Sequence, residues 1–267
     1  MIKITRCLEP LPLAKVREDE LQRVRGIARD HVPTSDEVGA RYQVVRDQLW
    51  RMQHYKCCYC EHKCQVHFHD VEHYRPKARA DRGPGQPDYG YWWLAWTWEN
   101  LLFVCPECNR SRKKDIFPLA PGSRPLAPEE QPPGEERPIL IDPASEDPMA
   151  DIQFRRVVLE GGRIVWQAVA RSPRGAETID IIGLNRDCLR DLHDEHVRET
   201  VEPAIEAVRA AIAMHGAGAT EVRDVWRNRV EPLVMPMQRY AALAYDVIDE
   251  IFPLPVRRQL GSNLAPP

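Results

Sequence analysis

The sequence predicts an α+β fold: a small metal-stapled strand-and-helix module set between a helical lead-in and a hairpin-plus-helices region. Three observations carry this. Two identical Cys-x2-Cys pairs, Cys57/Cys60 and Cys105/Cys108, bracket a stretch rich in His and Trp. Alternating apolar residues on either side of Gly161-Gly162 read as a β-hairpin. Helical periodicity governs the two ends of the chain. Its 267 residues are enough for one large domain or two modest ones with a real core. With 29% charged and 43% hydrophobic residues the chain is not broadly disordered. No apolar run approaches the ~18 residues of a membrane span. The opening MIKITRCLEPLPL lacks the continuous apolar stretch of a signal peptide. A soluble, cytoplasmic protein is expected, in which cysteines serve as metal ligands or plain thiols rather than disulfides.

Residues 1–45 form the helical lead-in. Residues 17–30 place Leu21, Val24 and Ile27 at helical spacing, and Thr34 caps a second helix expected to run through Leu49 and Met52. Residues 46–120 form the metal-binding module. Nine prolines between positions 118 and 148 exclude a continuous helix or central strand, so residues 121–150 read as a linker or a wrapping segment. Residues 151–267 begin with the hairpin, where Ile152, Phe154 and Val158 alternate, as do Ile164, Trp166 and Ala168. One long or Pro203-kinked helix over 186–214 and another over 238–251 follow.

The two cysteine pairs lie 44 residues apart, from Cys60 to Cys105. Each Cys-x2-Cys turn points two thiolates at one ion, and two such turns complete a tetrahedral S4 site that favours Zn²⁺. A redox pair would want a single motif near a βαβ pattern, which is missing. Cys58 and Cys64 compete for the register, and the matching spacing favours Cys57 and Cys60. Four protein ligands leave no open position, so this zinc is structural.

Between the pairs stand Asp70-Val71-Glu72-His73-Tyr74-Arg75-Pro76-Lys77 and Trp98-Glu99-Asn100-Leu101-Leu102. The second pair continues as Asn109-Arg110-Ser111-Arg112-Lys113-Lys114. Here the chain resembles the HNH endonucleases, whose ββα-metal motif runs acidic-His, then Asn, then His or Asn. The phrasing EHYRPKA…YWWLAWTWENLLFVCPECNRSRKKDIFPL is similar to a narrower group. These are the HNH effector subunits that accompany ATPase subunits in bacterial anti-phage systems of the Septu and retron types. The similarity extends through GAETIDIIGLNR at residues 175–186.

The resemblance implies Glu72-His73 as the first element, Asn100 as the middle one and Asn109 as the third. His73, if its imidazole keeps its ordinary range, is suited to taking a proton from water at neutral pH. A hard divalent ion such as Mg²⁺ keeps several waters and needs few oxygen ligands, so Glu72 and Asn109 suffice as its expected donors. Asn100 is expected to orient the His73 ring or tie the loop behind it. Adjacent strand residues point to opposite sides, so Glu72 and His73 can share a site only at a strand end. The Gly/Pro-rich stretch at residues 81–90 is a substrate-side lid or a surface loop. His67 and His69 read as surface residues, and His193-x2-His196, amid acidic neighbours, as a solvated helix face.

The formal charge of −3 is an average over unlike regions. Residues 41–115 hold 13 Lys and Arg against 9 Asp and Glu, and the rest holds 24 against 31. Basic runs flanking a candidate phosphodiesterase site suit backbone binding, so Arg75, Lys77, Arg110, Arg112, Lys113 and Lys114 are the expected nucleic-acid contacts. The cluster Trp92, Trp93, Trp96 and Trp98 has spacing better suited to core packing than to base stacking. The acidic C-terminal region is the expected docking surface for a protein partner. The expected function is metal-dependent cleavage of nucleic acid, DNA by resemblance, beside an ATPase subunit in phage defence. The alternatives are an RNA-cleaving effector, on tRNA for example, and a non-catalytic zinc-knuckle adaptor.

Overall fold

The computed structural model describes residues 1–63, 65–262 and 264–267. Cys64, one of the register competitors, lies outside the described residues. The chain divides into two compact units. The first comprises Ile4–Tyr59 and Lys63–Glu146; the second comprises Met1–Lys3, Cys60–His62 and Asp147–Pro267. No helix among the described residues is long and apolar enough to cross a membrane.

In the first unit α1 spans Leu11–Ile27, starting earlier than its periodicity suggests. Pro12 sits in its first turn, where a missing N–H leaves nothing unpaired. Thr34 and Glu37 form a capping box for α2, Ser35–Val38. The expected long second helix stops there because Gly39 takes a left-handed φ of 73°. The chain resumes as a 3-10 turn, Arg41–Val45, and then α3, Arg46–Met52.

Strands β1, Asp70–His73, and β2, Leu101–Val104, pair antiparallel, with Asp70 opposite Val104 and His73 opposite Leu101. Every residue of β2 is buried, so neither face shows the alternation of a half-exposed strand. Gln53, just past α3, stands where a third strand would. Its Nε2 donates to Phe103 O at 2.7 Å, and its Oε1 accepts from Phe103 N at 2.8 Å. A π-wound helix, Glu107–Lys113, follows β2. In the connection between the strands, the four tryptophans are buried and form core. Gly90 is obligatory there: a Cβ would come within 2.3 Å of the Ala78 backbone.

Residues 118–146 wrap this unit rather than link it to another. Leu126, Leu140 and Ile141 are fully buried. Glu136 is buried too, accepting from Arg75 Nε at 2.7 Å and from the Tyr91 hydroxyl at 2.5 Å. The prolines rule out regular structure but leave an extended path whose apolar residues cover the core.

In the second unit β3, Ile152–Val158, and β4, Ile164–Ala170, form the expected hairpin. Gly161 and Gly162 turn it with φ of 87° and 82°. Helices α4, Pro173–Ile182, and α5, Asp187–His196, follow. Between α5 and α6, Glu202–His215, the segment Val197–Val201 is π-wound. Pro203 lacks an N–H and crowds the carbonyl four residues before it, so the expected long helix widens instead of running straight. Helices α7, Thr220–Arg229, α8, Ala241–Ile251, and α9, Leu254–Gln259, complete the unit. His193 and His196 are not on a solvated face: they are 1% and 4% exposed. Both rings pack against Tyr240, at 4.8 and 5.4 Å between centroids, while Asp191 and Asp194 of the same helix hold Arg163.

Candidate active site

A cleft of about 400 Å³ opens beside β1 and the π-wound helix. Its lining includes Glu72, His73 and Asn109 of the expected site, and Lys77, Arg110 and Lys114 of the expected contacts. It also includes Tyr42, Asp70, Arg79 and Asp115, none of them among the expected site residues.

His73 is the last residue of β1, the strand end that a shared Glu72–His73 site needs. Its Nε2 pairs with Ala95 O at 2.9 Å, so Nε2 carries the proton and Nδ1 keeps the lone pair. Tyr42 meets the ring edge-on at 4.4 Å. Burial pulls the His73 pKa down to about 3, the Ala95 bond opposing and Lys77 and Lys113 adding to the fall. The imidazole is therefore neutral at physiological pH.

Asn100 does not touch that ring. Its Oδ1 accepts from Arg75 N at 2.7 Å, and its Nδ2 donates to Arg75 O and Leu94 O, each at 3.1 Å. The amide thus ties the chain leaving His73 to the stretch whose Ala95 carbonyl holds the His73 ring. Of the two expected roles, tying the loop is the one this geometry serves.

Glu72 and Asp70 lie two residues apart on β1 and so share a face, but their partners differ. Lys113 Nζ donates to Glu72 Oε1 at 2.5 Å and to His73 O at 3.1 Å. Lys113 is 0% exposed, so as placed it offers no ammonium to a phosphate, contrary to its expected contact role. Desolvation raises the Glu72 pKa, and Lys113 opposes that rise. Asp70 Oδ2 accepts from Asn109 Nδ2 at 3.1 Å and from Arg110 Nε at 2.9 Å; Arg110 Nη2 reaches Oδ1 at 2.5 Å. Asp70 was findable from sequence only through its i, i+2 relation to Glu72.

The remaining expected contacts divide. Arg75 is committed to buried Glu136. Lys77 donates to Gly39 O at 2.9 Å and Ser35 O at 3.2 Å and lies 5.0 Å from the Tyr42 ring centre. Burial lowers its pKa. Arg110, Arg112 and Lys114 are exposed.

The metal arithmetic converges in space. Cys57, Cys60, Cys105 and Cys108 are all buried, and their sulfurs lie within 4.8 Å of one another. Zn–S bonds of ~2.3 Å set the edges of an S4 tetrahedron at about 3.8 Å, so a small contraction closes the cluster on an ion. These four cysteines can hold zinc. Cys58 is buried beside them but outside the group.

No family model matches the chain, and no solved structure matches it. Septu protein PtuB of Bacillus mycoides (strain KBAB4) is 30% identical over 220 residues, covering 78% of this chain and 70% of the relative. Septu protein PtuA of the same strain is 28% identical over 140 residues, covering 51% of this chain but only 18% of PtuA. With that identity along most of both chains, this protein belongs to the PtuB family of Septu-type defence proteins.

Proposed function

We propose that this chain is the HNH-type nuclease of a Septu-type anti-phage system, hydrolysing phosphodiester bonds, with DNA the favoured substrate and an ATPase subunit as partner. The observation that carries the reading is His73: a neutral imidazole with a defined tautomer, at a strand end, lining a cleft with a basic rim. Its Nδ1 is the atom that takes a proton from the attacking water. The low pKa makes it a weak base in the free protein, and a phosphate entering the cleft raises its basicity by placing negative charge nearby. Asn100 keeps the Ala95 carbonyl in register with the ring. Arg79, Arg110 and Lys114 supply positive charge for the nucleic-acid backbone. The cysteine cluster fixes the start of the π-wound helix beside β1 and β2.

The resemblance implies a divalent ion on Glu72 and Asn109. Those two side chains do not form one donor set here: Glu72 holds Lys113, and Asn109 bonds Asp70.

The test incubates the purified chain with plasmid, single-stranded DNA and total RNA, with and without the ATPase subunit, in Mg²⁺ and in EDTA. EDTA-sensitive cutting of DNA is expected, lost in His73→Ala while zinc content stays at wild type. Wild-type cutting by that variant removes His73 as the base. Cutting confined to RNA replaces the substrate, and metal-independent binding without any cutting favours the adaptor.

A further inference from the structure

Away from the cleft, the same unit carries another hollow, of about 830 Å³, walled by residues ahead of α1 and by α3 with its flanks. Three of its lining side chains are metal ligands of the soft kind: the Cys7 thiol, the Met52 thioether and the His54 imidazole. The Cys7 and Met52 sulfurs are 3.9 Å apart. Bonds of ~2.3 Å to an ion set two sulfurs about 4.0 Å apart at a three-coordinate centre and about 4.6 Å apart at a linear one. The observed separation fits the first, which calls for a third donor. His54, two residues past Met52, lines the same hollow with a left-handed φ of 54°, just past a helix end where glycine is usual. Cys7 is held from two sides. Its carbonyl accepts from Trp98 Nε1 at 2.9 Å, and its sulfur accepts from Gln48 Nε2 at 3.3 Å. An N–H aimed at the sulfur is the outer-shell bond that a metal-bound thiolate takes. The donor set also selects the ion. Hard cations want oxygen, whereas a thiolate with a thioether suits Cu(I). One thiolate balances one positive charge, and Asp47 and Arg51 in the same wall offset each other, so a monovalent ion leaves the site neutral.

We propose that Cys7, Met52 and His54 form a three-coordinate site for Cu(I), separate from the four-cysteine cluster. On binding, the Cys7 thiol gives its proton to solvent and the cation takes its place, with no change of oxidation state. Met52 is followed by Gln53, whose amide clamps Phe103 of β2, so an occupied site stiffens the helix end that holds the strand pair. The inference stands apart from the nuclease reading.

The test titrates the zinc-loaded full chain anaerobically with Cu(I) against a chromophoric chelator. Released zinc is followed with a dye, and copper-edge X-ray absorption is recorded at one equivalent. Uptake of one Cu(I) without zinc release is expected, with a first shell of two sulfurs and one nitrogen. Losing an outer-shell partner already costs about 10–100-fold in metal affinity, so removing a ligand by Cys7→Ser, Met52→Leu or His54→Asn is expected to cost at least about tenfold. Leu keeps the volume at position 52 and Asn accepts the left-handed backbone at position 54, so these variants keep the fold. Zinc released mole for mole with copper uptake, with affinity unchanged in Cys7→Ser, puts the ion on the four-cysteine cluster and overturns the inference. A shell of three or four sulfurs without nitrogen overturns it too, as does wild-type affinity in Met52→Leu or His54→Asn. A wild-type chain that takes up no Cu(I) overturns it outright.

Discussion

The two antiparallel strand pairs of this chain are built on opposite plans. β3 and β4 are seven residues each and are joined by a short turn at Gly161–Gly162, with register running from Ile152↔Ala170 to Val158↔Ile164. β1 and β2 are four residues each, and the whole tryptophan-rich connection, residues 74–100, lies between them. A four-residue pair is too short to stand alone. It is held from outside: by the Gln53 amide on Phe103, by Cys58 N on Phe103 O at 3.0 Å, by Asn100 across the loop and by Lys113 across to the helix. The local hairpin takes its register from its own turn, with Asp246, Asp194 and Asn185 bonding its backbone from the helical part of its unit; the pair that carries His73 depends on distant residues for its register as well. A cleft whose His73 ring is oriented by a loop carbonyl needs that dependence, since a strand pair alone fixes only its own strands.

The largest test of this contrast is disruption of the four-cysteine cluster, which can hold zinc. Structural zinc contributes on the order of 10 kcal/mol to folding in small zinc-bound modules, as much as a typical domain's whole stability. Treating the zinc-loaded protein with a strong chelator, or replacing Cys105 and Cys108 by Ser, is expected to erase amide-exchange protection at Leu101–Val104 and, on the proposed nuclease reading, to abolish nicking. Protection at Ile152–Val158 should persist. Simultaneous loss at both strand pairs would show that they share one cooperative scaffold and would break the comparison.

Next in size is Asn100→Ala. It removes three hydrogen bonds, two of them the bonds of Arg75 N and Arg75 O, while Leu94 O keeps Thr97 N at 3.1 Å. The expected cost is roughly 2–4 kcal/mol in urea unfolding. On the proposed nuclease reading, nicking should fall further than stability predicts at temperatures where the variant is fully folded, because the stretch carrying the Ala95 carbonyl is no longer tied for His73. Nitrogen chemical shifts of His73 that still report a protonated Nε2 in the folded variant would remove Asn100 from the positioning of the His73 ring.

The tethers also differ in kind. Those on β1–β2 include side-chain amides, which do not titrate. β3 is tied to α8 by a carboxyl: Phe154 N donates to Asp246 Oδ2 at 2.7 Å. Burial raises the Asp246 pKa from 3.8 to about 6, with the Phe154 bond and Arg155 opposing. A raised carboxyl pKa means the folded state holds its proton more tightly than the unfolded state. That contribution to stability is full below about pH 4 and is lost as pH rises through about 6. Wild type is therefore expected to lose about 3 kcal/mol relative to Asp246→Asn between those limits, at 1.36 kcal/mol per unit. Parallel pH–stability curves for the two proteins would show that Asp246 ionises freely in the fold.

What was legible in the sequence follows the same division. The β3–β4 hairpin announces itself through alternation and a glycine pair, because its pattern is local. The cysteine cluster is legible through spacing. β1 and β2 are not legible by pattern: β2 is buried on both faces, and β1 is too short to show a period. Only the likeness of Glu72-His73, Asn100 and Asn109 to a known motif located them. Partner choice was hidden more deeply. That Lys113 points inward to Glu72 while Arg110 stays out on Asp70 depends on how the π-wound helix turns over β1. Arg75 sits in a basic run and reads as a phosphate contact, yet Glu136, 61 positions away, claims it. The acidic neighbours of His193 and His196 suggested a solvated face, but Tyr240 covers the pair. Charge composition reports what a segment carries, not which face of it the rest of the chain covers.

The smallest expected effect sharpens the comparison from the other side. Val158 and Ile164 are register partners beside the Gly161–Gly162 turn, and they are 66% and 60% exposed. Replacing both by Thr keeps the β-branched stiffness that suits a strand and exchanges an apolar cross-strand contact for a hydroxyl pair. Little buried area changes, so the double variant should unfold within about 0.5 kcal/mol of wild type, as surface substitutions usually do. A loss well above 1 kcal/mol, the upper worth of one exposed cross-strand pair, would mean that this end of the hairpin is covered in solution. The turn end of the local hairpin would then depend on outside contacts as β1–β2 does, and a locally set register would no longer distinguish the two.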